Sequence, residues 1–277
     1  MLVEDEENCV LMMEQVFAAG AQLPAETGEY ELLPVFVTRI TKEPHFFDMG
    51  KPAQHLLTAY LKYVFRNQME AAGSGIEQVW ELFYLAGILK DDLSNIVLVY
   101  GLHGKRRDGS LHQGMEGFAK EREPVQLTLQ SLTGLQSVCS DKKVIYMVEN
   151  PAVFSYLCKM FPTEGFICGN GQLRQAVWVL LAKLDCNEKI YYAGDFDPEG
   201  IGIAERMKMK YPKQVYLWHY EVELYQKYCS SHRISDASMK KLDKITSPEL
   251  QVLCKEIKKQ GYAAYQEAML GEYKIEV

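Results

Sequence analysis

Residues 144–149, VIYMVE, and residues 190–200, IYYAGDFDPEG, decide how this chain is read. Each is a short apolar run that ends in acid: Glu149 closes the first, and Asp195 and Asp197 close the second. Runs that stay apolar on successive residues fit strands buried on both faces, as in a parallel sheet. If the two strands are parallel neighbours, three carboxylates converge at the carboxyl edge of the sheet, where open α/β sheets bind their ligands. Crowded carboxylates repel one another and raise each other's proton affinity unless a cation sits among them. Oxygen-only ligands select a hard divalent ion, so magnesium is the expected cofactor, with manganese as a substitute. Such an ion points toward chemistry on phosphate groups.

The local pattern supports this reading and also offers plainer ones. Residues two apart in an extended segment point to the same side, so Asp195 and Asp197 face together while Phe196 turns into packing. Gly194 and Gly200 bracket them and permit a tight turn. An isolated Asp-x-Asp is weak, and the weight comes from the second acid-ended strand. Glu149 could instead favour the N-terminus of the helix that starts near Pro151, but Asn150 suits that cap better. The segment CGNGQ at 168–172 follows a further strand. Its Gly169, Asn170 and Gly171, together with Asn150, are candidates for cradling a phosphate, although a tight strand-to-helix turn calls for the same residues.

Around these two runs, strand 143–149, helix 151–161, strand 166–168, helix 172–185, strand 189–194, helix 199–211 and strand 214–219 alternate. Alternation of this kind implies βαβ crossovers and a mainly parallel sheet with helices on both faces. Residues 221–270 read as mostly helical. Upstream, helical periodicity runs over 5–18, 52–68 and 76–89, with AAGSG at 71–75 as a loop. SNIVLVYGL at 94–102 reads as a strand, and the polar stretch after it, through 123, as a connector with a mobile loop. The basic tip of that loop, Lys105, Arg106 and Arg107, could touch a phosphate backbone, but exposed loop charge is the commoner explanation. PVQLTLQSL at 124–132 reads as a strand or the lead into a helix. The expected fold is α/β, with a mainly helical domain over 1–135 and a parallel-sheet domain with a helical tail over 140–277.

With 277 residues the chain has room for one large domain or two ordinary ones. No apolar stretch approaches the roughly 20 residues that span a bilayer, so no membrane partner is expected. The acidic start, MLVEDEEN, is unlike a secretory signal. The seven cysteines are dispersed without a Cys-x-x-Cys pair, which fits reduced thiols in a cytoplasm. The six histidines show no metal-type spacing, and Trp218 and the tyrosines of 220–228 read as core. A net charge of −7 argues against a nucleic-acid partner, but residues 1–50 alone carry ten acids and two bases. The near-neutral remainder can still present a local basic groove, with the 240–244 lysine cluster as one source.

VENPAVF at 148–154, the CGNGQ turn, and GDFDPEGIGIAERM at 194–207 together resemble the TOPRIM domain of topoisomerases, bacterial primases and certain nucleases. The Asp-x-Asp-Pro-x-Gly form is similar to the topoisomerase VI A-subunit branch, and closer still to the JetD-like DNA-cleaving subunit of Wadjet plasmid-defence systems. EPHFFDMGKPAQHLL, DDLSNIVLVYGL and EPVQLTLQSL resemble the region that precedes TOPRIM there, so the likeness covers most of residues 35–270. Two departures stand out. The chain is shorter than that family's members, with less room for N-terminal DNA-binding arms, and its central turn differs from the Thr-Ser-Gly-x-Pro type. The resemblance implies a magnesium-dependent endonuclease in which Glu149, Asp195 and Asp197 hold the ion and catalyse hydrolysis of double-stranded plasmid DNA. It also implies work beside a condensin-like SMC complex, as a possible homodimer. The alternatives are a catalytically silent DNA- or partner-binding module that keeps the fold, and a small-molecule phosphohydrolase.

Overall fold

Residues 2–68 and 75–275 are described by the computed structural model, so the loop expected at 71–75 falls almost wholly outside the described residues. The chain divides into two compact units, Met1–Ser94 and Asn95–Val277. Among the described residues no helix is long and apolar enough to cross a membrane. None of the seven cysteines forms a disulfide.

In the first unit, apolar residues at helical spacing build a small helical core. Its helices are α1 (Leu2–Gly20), α2 (Leu33–Thr41), α3 (Pro52–Val64) and α4 (Ile76–Leu85), and a short parallel pair joins β1 (Glu31–Leu32) to β2 (Ile88–Leu89). Val16, Phe36, Val37, Leu57, Leu61, Leu82 and Phe83 meet in the centre. Helix α2 is not evident from LPVFVTRIT, whose β-branched residues favour a strand. Proline in its first turn fits a helix start, and Leu33, Phe36 and Val37 fall on one face that the core buries. Burial of that face overrides a weak local preference.

The second unit begins with β3 (Ile96–Tyr100), β4 (Leu102–Arg106), α5 (Gln113–Glu121), β5 (Val125–Thr128), α6 (Leu129–Thr133) and β6 (Leu135–Ser140). It continues through β7 (Val144–Val148), α7 (Pro151–Met160), β8 (Gly165–Cys168), α8 (Gln175–Ala182), β9 (Lys189–Ala193), α9 (Pro198–Lys210) and β10 (Val215–Leu217). Three further helices complete it: α10 (Val222–Tyr228), α11 (Asp236–Met239) and α12 (Pro248–Gln260). Six strands form one sheet in the order β10-β9-β7-β8-β3-β5. The first four are mutually parallel, while β3 runs antiparallel to both β8 and β5. The expected α/β class with a mainly parallel sheet and helices at the N-terminus is what the molecule shows.

The boundary expected at 135–140 lies inside the second unit. Strands β3 and β5 belong to the main sheet, with Val99 opposite Ile167, so residues 95–135 cannot be detached from the strands downstream. The supposed loop of 103–123 is also mostly ordered. Strand β4 pairs with β6 in a separate antiparallel ribbon, and His112 caps α5 by accepting the Met115 N–H. Only the turn around Gly109, at φ 86°, remains of the expected loop. Residues 221–270 are helical only in part, because after α12 the chain runs back extended along the sheet edge. There Phe196 and Ala264 exchange backbone hydrogen bonds of 2.8 and 3.2 Å before a turn of 3-10 helix at Gln266–Met269.

The strand order fixes where a ligand would bind. From β7 the chain crosses to β8 on one side, then returns past β7 to β9 on the other. Right-handed crossovers in opposite directions put α7 on one face and α8 and α9 on the other. The gap between β7 and β9, at their carboxyl ends, is therefore the topological switch point of this sheet.

Candidate functional site

Val148 lies opposite Ala193 in the parallel β7–β9 pair, so Glu149 and the Gly194–Asp195 segment leave the sheet side by side. Glu149 turns toward its neighbour, its Oε2 3.5 Å from the Asp195 N–H. Asp195 accepts the Gln266 N–H on Oδ1 at 2.9 Å. Asp197 comes next as the N-cap of α9, its Oδ1 accepting the N–H groups of Glu199 at 2.9 Å and Gly200 at 2.8 Å, with Pro198 in the first turn. Glycine at 200 is obligatory for this turn, because a Cβ there would stand 2.4 Å from the Asp195 carbonyl oxygen. The structure thus brings Glu149 and Asp195 together and sets Asp197 beside them with one carboxylate oxygen committed to its helix.

Burial pushes the Glu149 carboxyl up to about 7, the charges of Asp195, Asp197 and Glu199 add to this, and the Asp195 N–H opposes it. Burial likewise lifts Asp195 to about 6, against the Gln266 N–H and with help from Asp197 and Glu267. These are carboxylates held where ionisation is costly.

Three residues of this site carry no signal in the sequence. Gln266 is fully buried. Its Oε1 accepts the N–H groups of Glu149 and Asn150, both at 3.2 Å, and its Nε2 donates to the Tyr273 hydroxyl at 3.0 Å. One glutamine from the C-terminal turn therefore ties the end of β7 to the segment after β9. Tyr192 and Tyr220 are core residues, as expected of Tyr220, but their hydroxyls point at the acids. Both phenol oxygens lie 3.0 Å, and Glu149 Oε2 3.1 Å, from where a Cβ on Gly194 would be. Neither buried hydroxyl meets a hydrogen-bond partner. Burial first holds both phenols well above their usual range; the Tyr220 phenol and then Glu149 and Asp195 add to this at Tyr192, and Glu149, Tyr273 and Asp195 add to it at Tyr220, where the nearby Gly194 N–H opposes it.

The remaining candidates divide. Asn150 caps α7, accepting the Ala152 N–H at 2.7 Å, and donates to Glu267 at 2.6 Å. The Gly169–Asn170–Gly171 turn is not an open anion cradle. Its glycine N–H groups donate to the Val148 and Glu149 carbonyls at 2.8 and 3.3 Å, and α8 starts only at Gln175. Lys105 and Arg106 belong to the β4–β6 ribbon. Arg107 lies within electrostatic reach of Lys183, at the end of α8 that leads to the start of β9 and so at the opposite sheet edge from Glu149. The cations that border the acids are others: Lys241 pairs with Glu199, and Arg206 donates to Gln172 at 3.1 Å, whose Nε2 in turn approaches Glu199 at 3.4 Å.

Among the described residues no group of three or more His, Cys, Asp or Glu side chains stands ready-made around a cation. The donor chemistry nonetheless fits a hard divalent ion. The site offers carboxylate oxygens alone, two of them on acids whose proton affinity is raised by burial and crowding, beside two orphaned hydroxyls.

No curated protein matches this chain. Residues 2–104 match a family described as "Protein of unknown function N-terminus (DUF3323)". Residues 125–274 match one described as "Protein of unknown function C-terminus (DUF2399)". The second match takes in every carboxylate of the site and the glutamine that ties them. Because it spans more than half of the sequence, the chain belongs to the DUF2399 family.

Proposed function

We propose that this chain is a TOPRIM-type endonuclease, magnesium-dependent, that hydrolyses phosphodiester bonds of double-stranded DNA. On this reading it is the JetD-like cutting subunit of a Wadjet plasmid-defence system, acting beside a condensin-like SMC complex. The observation that carries the proposal is the meeting of Glu149 and Asp195 at the switch point between β7 and β9, with Asp197 next to them. Glu149, Asp195 and the second oxygen of Asp197 would hold the ion. When bound, a divalent ion supplies Lewis acidity toward the phosphate and lowers the pKa of a water. In the metal-free chain burial and the neighbouring acids lift the Glu149 carboxyl to about 7, and a bound cation would relieve that cost and keep it ionised as a ligand. Lys241 and Arg206 supply positive charge beside acids that would otherwise repel a DNA backbone.

The test is relaxation or linearisation of supercoiled plasmid with Mg2+ or Mn2+. Cleavage by the wild-type chain, lost in Glu149→Ala and Asp197→Ala, is the expected outcome. Cleavage retained by either variant removes these residues from the chemistry. A second reading, a silent DNA- or partner-binding module, is favoured by one observation: Asp197 already serves as a helix cap, with one oxygen committed to two N–H groups of α9. DNA binding that needs no metal, with no cleavage under any divalent ion, would establish it.

A further inference from the structure

The two buried phenols at Gly194 have no role in packing that phenylalanine would not fill. Tyr192 is fully buried in β9 and Tyr220 is 8% exposed, yet neither hydroxyl has a partner. Buried hydroxyls are almost always hydrogen-bonded, so two unsatisfied ones side by side call for a cause. The polar side-chain atom that shares their position at Gly194 is Glu149 Oε2. With no side chain on Gly194 the three oxygens face one small space; neither hydroxyl bonds directly to Oε2, and their common approach to the Gly194 position puts them within reach of one bridging water.

We infer that Tyr192 and Tyr220 are positioning residues for Glu149, whose hydroxyls hold the ionised carboxylate in the orientation that accepts a divalent cation. This rests on the metal site proposed above. A phenol is a donor at neutral pH, and an ionised carboxylate is an acceptor with about four lone-pair sites. Once a cation claims one carboxylate oxygen, donors on the remaining lone pairs fix the plane of the group. Partners of this kind behind a metal ligand typically govern affinity by about 10–100-fold. The phenols cannot themselves attack DNA, because both are enclosed in the core.

The experiment is Mn2+ binding, followed by electron paramagnetic resonance and calorimetry at pH 8, together with thermal melts in EDTA. The chains compared are wild type, Tyr192→Phe, Tyr220→Phe and the double variant. Tyr225→Phe serves as control, since its hydroxyl already donates to the Tyr262 carbonyl at 2.8 Å. Expected is a roughly 10-fold or greater loss of Mn2+ affinity in the double variant with no fall in melting temperature. The control should instead lose stability and keep its Mn2+ affinity. Wild-type affinity in the double variant overturns this inference alone, as does a lowered melting temperature, which would show that the fold itself uses the hydroxyls. No Mn2+ binding by the wild type overturns the metal reading and this inference with it.

Discussion

Replacing Glu149 by glutamine should stabilise the metal-free protein, and only above acidic pH. The folded chain raises this carboxyl from an ordinary value near 4.5 to about 7. At 1.36 kcal/mol per pKa unit, ionising it in the folded state costs roughly 3 kcal/mol more than in the unfolded chain. Some solvent contact persists at this side chain, and screening trims the figure to about 2 kcal/mol. Because the folded state binds the proton more tightly than the unfolded state, full stability is present below the unfolded value of about 4.5. Stability is lost as pH rises toward 7 and is flat beyond it. Glu149→Gln cannot ionise and escapes the loss. In EDTA the variant should match wild type near pH 4.5 and melt about 4–8 °C higher at pH 8, given about 2–4 °C per kcal/mol for a unit of this size. Circular dichroism melts across pH 4.5–8.5 measure both. A gap that does not widen with pH, or a variant that melts lower at pH 8, would refute the argument that burial and crowding strain this carboxylate.

Magnesium at pH 8 should raise the melting temperature of the wild type and leave Glu149→Gln nearly unmoved, a comparison that needs only the same melts with titrated ion. Asp197→Ala should lose about 1 kcal/mol of stability through its cap, whereas Asp197→Ser keeps the cap and loses the carboxylate. The serine variant should therefore unfold in urea close to wild type while failing to cut plasmid, and cutting by it would exclude Asp197 as a ligand. Gln266→Ala strands the Glu149 and Asn150 N–H groups and opens a cavity in a fully buried position. A loss of roughly 2–4 kcal/mol in urea denaturation is expected. Gly200→Ala forces a Cβ against the Asp195 backbone, and a soluble, normally melting variant would contradict the geometry described for that turn.

The parallel core was legible because each strand of residues 143–217 is a short apolar run bounded by a helix of clear period. The pairing of Glu149 with Asp195 followed from acid at two strand ends. Strand β6 escaped notice because LQSVCS alternates too weakly, and β4 because LHGKR carries charge; each exists through the other, by antiparallel pairing that runs from Leu102 opposite Ser140 to Arg106 opposite Leu135. The glycine turn looked like a phosphate cradle because anion-binding turns and carbonyl-satisfying turns use the same residues. Only its hydrogen bonds, to Val148 and Glu149, tell them apart. Gln266 had no signal, since it reaches its partners across 117 and 71 positions of sequence and resembles any polar residue in a tail.

That reach of Gln266 bears on when the protein can act during its own synthesis. While residues up to about 260 are emerging from the ribosome, β7 and β9 can already pair, but the end of β7 lacks the acceptor for two backbone N–H groups and Asp195 lacks its donor. The candidate site is completed only when the segment carrying Gln266 docks. On the proposed reading, a chain in which Gln266 has not yet docked lacks the hydrogen bonds that fix Glu149 and Asp195 for an ion.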